Sequence, residues 1–132
     1  MERNFLGSLH DADLISLGWI AEHALRLDVR SQEGRFGLVL NKVSIVRVVD
    51  FGMQNVIAQV WHSRDHLGED QFLRERLAWA TATVDSHSYI SEANAHSLIM
   101  SLKASQKTMI GLVPSVGADL VAVCERLEVS RV

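Results

Sequence analysis

Three short stretches of this chain hold the residue types that do chemistry. "WHSRDH" places His62 and His66 four apart with Asp65 between them. On a helix that spacing would put both imidazoles on one face, as a metal site requires. The segment lies between a strand-like run and a helix-like one, and it lacks the glutamate of the metalloprotease pattern. A polar, solvated loop is the simpler expectation. "SLHDADL" sets His10, Asp11 and Asp13 within four positions, and imidazole with carboxylate suits a hard or borderline cation. If the fold brought this stretch to His62 and His66, a metal-binding protein or metal-dependent enzyme would result. "DSHSY" offers His87 between Ser86 and Ser88 after Asp85, the types of a hydrolytic triad, but in no G-x-S-x-G context.

The remaining motifs point away from catalysis. Gly34 and Gly37 are not followed by a helix, so there is no dinucleotide fingerprint, and no lysine follows a glycine run as in a P-loop. No cofactor is called for. Glu69 and Asp70 sit where a first helical turn would favour acids. Cys124, the only cysteine, lies inside "LVAVCERL" and reads as a small buried hydrophobe. His23 and His96 read as a turn residue and a helix-surface residue.

The 132 residues suffice for one domain, 1–132, with its own core. Net charge is −3, and the lysines and arginines are scattered rather than gathered into a stripe, which argues against nucleic acid and against an anionic membrane surface. No apolar run approaches the ~18 residues of a membrane span, and "MERNFLGSLHD" lacks the apolar stretch of a secretion signal. The expectation is a cytoplasmic protein.

The elements that must position these residues follow from periodicity. From Asp13, Ile15, Leu17 and Trp19 alternate with Leu14, Ser16 and Gly18; in "ALRLDVR", Leu25, Leu27 and Val29 alternate with charges. "IAEH" between them is short enough for a hairpin, and Glu33-Gly34 marks the next turn. "RFGLVLNKVSIVRVVDFG" predicts a strand over about Phe36 to Val49, interrupted near Asn41-Lys42 and closed by Asp50-Phe51-Gly52. "NVIAQVW" is a fourth strand, apolar on both faces, with Val56, Ala58 and Val60 on one side and Ile57 and Trp61 on the other. A helix is expected from about Glu69 to Trp79, with Asp70 and Arg74 as an i, i+4 pair. Residues 77–84 are readable as helix or strand. A second helix should follow Ser91 as N-cap, burying Ala95, Leu98, Ile99 and Leu102. "TMIGLV" and "ADLVAVCERLEV" form a terminal hairpin around "PSVG". The fold class is α+β: an antiparallel β-meander of about four strands, two helices, then a C-terminal β-hairpin.

"LHDADLISLGW", followed by a short turn and "ALRLDVR", resembles the opening of a family of small bacterial immunity proteins, the immunity protein 50 type. It is also similar to related proteins that begin with His-Asp-Ala and an acidic residue before a β-meander. The matching residues are His10, Asp11, Ala12, Asp13 and Leu14, and the resemblance spans about the first half of the chain. It implies a protein-binding module that neutralises a toxin domain by direct contact, with no catalytic residue. The residues themselves support an anchoring role, since a histidine and an aspartate at a strand's start can bond free backbone groups of a neighbouring turn. The apolar two-faced strand, with Trp19, Trp61 and Trp79, also leaves room for a homodimer, unless helices cover that surface.

Overall fold

The computed structural model describes residues 2–84 and 87–132. Among the described residues the fold is α+β, with an eight-stranded antiparallel sheet, a two-stranded ribbon and three α-helices. In chain order these are α1 (Glu2–Gly7), β1 (Asp13–Ala21), β2 (Ala24–Ser31), β3 (Gly34–Asn41), β4 (Ile45–Val49) and β5 (Val56–His62). A 3-10 turn at Ser63–His66 leads to α2 (Asp70–Ala80), β6 (Ala82–Val84), β7 (His87–Ser88), α3 (Glu92–Lys103), β8 (Thr108–Val116), β9 (Asp119–Cys124) and β10 (Arg126–Arg131). Among the described residues, no helix is long and apolar enough to cross a membrane.

The expected four strands and terminal hairpin undercount the sheet, because two of those six runs bend sharply enough to become two strands each. One bends after Asn41, where Lys42 adopts a positive φ of 55°. The other bends at Glu125, whose N–H donates to Asn41 O at that same corner. The two bent runs lie antiparallel along their length. Arg126–Arg131 pair with Asn41–Phe36, and Asp119–Val123 pair with Val49–Ile45. The strand order β10-β3-β2-β1-β5-β8-β9-β4 therefore closes back on itself, since β10 continues β9 and β4 continues β3.

The enclosed core takes Leu25, Leu27 and Val29 from β2, as the alternation predicted, with Leu38 and Leu40 from β3 and Leu120, Ala122 and Cys124 from β9. Leu6 and Leu9 join it from α1 and the turn after it. Phe5 meets Phe36 edge-on at 4.7 Å between centroids. The helix itself was not expected, because six residues are too few to display a period.

A second apolar layer lies outside the sheet. Leu73 and Leu77 of α2 and Leu98, Ile99 and Leu102 of α3 pack on Trp61, Met109, Val121 and Val123. Thus β9 is buried on both faces, and helices cover Trp61. Strict alternation fails in two strands. A bulge after Leu14 puts Leu14, Leu17 and Trp19 opposite Val29, Leu27 and Leu25, and leaves Ile15 out of that set. An irregularity between Ile57 and Gln59 sends Ile57 and Val60 inward but Trp61 toward the helices, so Ile57 and Trp61 do not share a side.

The first long helix runs through Ala80, and 82–84 are strand, which divides the ambiguous stretch. The Asp70–Arg74 pair does not form. Asp70 instead meets Lys103 at 2.9 Å and Arg74 meets Glu92 at 2.7 Å, two ion pairs that tie α2 to α3. Ser91 caps α3 as expected, accepting the Asn94 N–H at 3.1 Å. Pro114 falls inside β8 rather than in the turn, beyond Leu112 where pairing with β9 stops. Gly117, at φ 84°, makes the turn, and a Cβ there would run into Gln54 O. Of the serine–histidine stretch, Asp85 and Ser86 lie outside the described residues.

Candidate functional site

The His10-Asp11-Ala12-Asp13 stretch is the corner at which the chain enters the sheet. Asp11 takes the left-handed conformation at φ 67°, which Asp tolerates better than most residues. From there its N–H reaches Ile57 O at 2.8 Å, and Ala12 O accepts the Ile57 N–H at 2.9 Å. Leu14 N–H then reaches Asn55 O at 2.8 Å. These bonds attach β1 to β5. Ala12 is buried in the core, and the His10 Nδ1 lies 2.5 Å from Ala58 O, extending the ladder through a side chain. The Asp13 carboxylate meets Arg30 at 3.3 Å across the β1–β2 pair.

His10 and Asp11 also keep their side chains at the surface, 68% and 72% exposed, with Nε2 3.5 Å from the carboxylate. Together with Ser8 they form one wall of a cleft of about 300 Å³; Ser31, Gln32 and Glu33 of the β2–β3 turn form the other. Gly34, at φ 132°, closes that turn. The lining holds two carboxylates, an imidazole and two hydroxyls, and no lysine or arginine. Such a surface accepts hydrogen bonds and positive charge from an incoming side chain.

His62 and His66 sit elsewhere. His62 is not in a solvated loop: it is 7% exposed at the end of β5, and its Nδ1 accepts the Arg64 N–H at 3.1 Å. The turn is drawn inward because Ser63, 1% exposed, accepts the Met109 N–H of β8 at 3.0 Å. The His66 Nδ1 lies 2.8 Å from the Glu69 carboxylate, and its ring rests 4.5 Å from Phe72. Among the described residues, no three His, Cys, Asp or Glu side chains gather closely enough to hold a metal.

The fold moves the acidity of Cys124, Asp119 and Asp28. Burial pushes the Cys124 thiol up to about 11, so it is no ready nucleophile. Burial also raises the Asp119 carboxyl, against the opposing charges of Arg76 and Arg47. Asp28 moves down: burial pushes it upward, but hydrogen bonds from Arg26 and Ser16 and the charges of Arg26 and Arg35 outweigh that.

Two features were not foreseen. Asn55, 5% exposed, pins three segments. Its Oδ1 accepts the Gly52 N–H at 2.9 Å and the Ala118 N–H at 3.1 Å, while Nδ2 donates to Gly52 O at 2.9 Å. An asparagine between Gly52 and an apolar run was the available signal. Trp19 and Ile20 are each 57% exposed at the β1–β2 hairpin, although the pattern around Trp19 reads as buried. Comparison of the chain with protein-family models, with curated proteins and with solved structures finds no match in any of the three.

Proposed function

We propose that this protein is a non-enzymatic binding module that engages a protein partner through the His10–Asp11 cleft. The partner is the kind that the immunity-protein resemblance implies, a toxin domain neutralised by direct contact. The observation that carries the reading is the cleft itself: the one family-like stretch of the sequence and the β2–β3 turn jointly line it. Asp11 and Glu33 supply negative charge at an exposed position, where solvated carboxylates suit recognition of a basic side chain better than bond-making. The net charge of −3 has the sign that favours approach of a basic partner.

The test is to read the neighbouring gene and to co-express the chain with the toxin domain that the proposal expects it to encode. Wild type rescues growth and co-purifies with the toxin in equal proportion. The double variant Asp11→Asn, Glu33→Gln keeps the backbone preference at position 11 but removes both charges, and it binds at least about tenfold more weakly. A neighbouring gene that encodes no toxin, or a double variant that binds as wild type does, overturns the proposal.

A further inference from the structure

The tautomer of His10 bears on what the cleft can take. Ala58 O can only accept, so the ring nitrogen 2.5 Å from it, Nδ1, carries a proton. A neutral imidazole holds one proton, which leaves Nε2 as a bare acceptor. That Nε2 stands 3.5 Å from an Asp11 carboxylate oxygen, itself an acceptor, and the separation exceeds ordinary hydrogen-bond length. Two acceptors side by side on one wall of a cleft are completed by a donor from outside the chain.

The carboxylates of the cleft call for that donor to be a cation. Elsewhere Asp13, Asp28, Asp70 and Glu92 each have an arginine or lysine nitrogen within 3.3 Å. Among the described residues, the carboxylates of Asp11 and Glu33 have neither. The β2–β3 turn does hold one guanidinium, through its backbone. Arg131 donates to the Glu33 main-chain O and lies against Gly34, where a Cβ would come 3.1 Å from Nη2. The Glu33 carboxylate itself stays without an ion pair, on the wall opposite Asp11.

On the reading that this cleft is the binding surface, we infer that its ligand is an arginine side chain, that His10 Nε2 is one of the acceptors, and that acid releases the ligand. Acceptors stand on both walls, Nε2 and Asp11 on one and Glu33 on the other. A planar guanidinium spreads five N–H donors in a fork and serves both walls at once, whereas an ammonium is a compact point charge. In acid, Nε2 takes a proton. The acceptor becomes a donor to Asp11, and a positive charge stands beside the place the guanidinium needs. The groups facing the ring are the Asp11 carboxylate beside it, Ala58 O of β5 and Glu33 across the cleft, with Arg131 held on the Glu33 main chain. Protonation of His10 thus takes away an acceptor and adds a like charge together.

Nuclear magnetic resonance titration of the full chain with N-acetyl-arginine amide, and with its lysine counterpart, tests this. In the free protein at about pH 7.5, the ring nitrogens of His10 should show the proton on Nδ1. The arginine probe should shift His10 Nε2 and the amides of Asp11 and Glu33, and bind at least about fivefold more tightly than the lysine probe. Acidification to about pH 5.5 should weaken its binding at least about fivefold. His10→Asn keeps an N–H donor for Ala58 O but has no Nε2. With its amide spectrum otherwise unchanged, it should bind more weakly near neutrality and lose little more in acid. An arginine probe that fails to bind, a proton on Nε2 near neutrality, lysine bound as tightly as arginine, or an acid loss that persists in His10→Asn overturns the inference. A toxin domain bound through Asp11 and Glu33 but indifferent to His10→Asn and to acid also overturns it, and leaves the cleft reading standing. An arginine probe bound as described, beside a neighbouring gene that encodes no toxin, does the reverse.

Discussion

Asn55 does the work of a short stretch of sheet with a single amide. It bonds both the N–H and the C=O of Gly52, takes the Ala118 N–H, and through its own carbonyl holds Leu14. Asn55→Ala would leave the Gly52 and Ala118 N–H groups without their acceptor, at a cost of about 2–3 kcal/mol, read as a lowered urea midpoint. An unchanged midpoint would show that the loop finds other partners. Asp119 makes a prediction with a definite sign. Its carboxyl is raised above its ordinary 3.8 by burial first, so the folded protein keeps this proton to a higher pH than the unfolded chain does. Stability from this group therefore falls as pH rises from about 3.8 through the folded value, and stays lower above it. Asp119→Asn removes that loss. Its thermal midpoint should exceed the wild type's at neutral pH, with the gap closing in acid; a wild type more stable than the variant at neutral pH contradicts this.

Among the elements, what the sequence made legible was what local physics decides alone. Leu25, Leu27 and Val29 line the core because β2 is paired on both sides and its side chains alternate without a skip against β3. α3 begins where Ser91 can cap it, and Ser91→Ala should cost about 1 kcal/mol by the same urea measurement. A cost near zero would mean that packing of Leu98, Ile99 and Leu102 holds the helix start without the cap. The failures also have physical causes. Bulges at Leu14/Ser16 and Ile57/Gln59 shift side chains to the other face, and nothing in an alternating pattern marks where a ladder will skip. Pro114 reads as a turn former because its role depends on where β9 stops pairing with β8, at Leu112 opposite Leu120, a fact about another strand. The Asp70–Arg74 pair gave way to Lys103 and Glu92 because α2 and α3 lie together, which one helix's sequence does not express.

At the scale of the whole molecule, two bent runs, 34–49 and 119–131, close the sheet on its core, and helices cover one part of the outer surface. The cleft is a consequence of that closure. His10 and Asp11 were legible as a motif, but their neighbours Ser31, Gln32 and Glu33 lie some twenty residues on, and only the pairing of β1 with β2 brings them alongside. The histidine pair at 62 and 66 was the stronger chemical pattern by spacing. Its surroundings, the Ser63 bond to β8 and the ring contact with Phe72, belong to tertiary packing. That β1 meets β5 only at its start is likewise invisible locally, since whether a strand is central or at an edge is a property of the sheet. The most direct test of the binding account is whether the neighbouring gene encodes a toxin domain and how tightly the purified chain binds it, measured by calorimetry for wild type and for Asp11→Asn, Glu33→Gln. The account predicts a one-to-one complex that weakens at least about tenfold in the double variant while the unfolding midpoint holds. Equal affinity for the two proteins, or no complex with wild type, would contradict it.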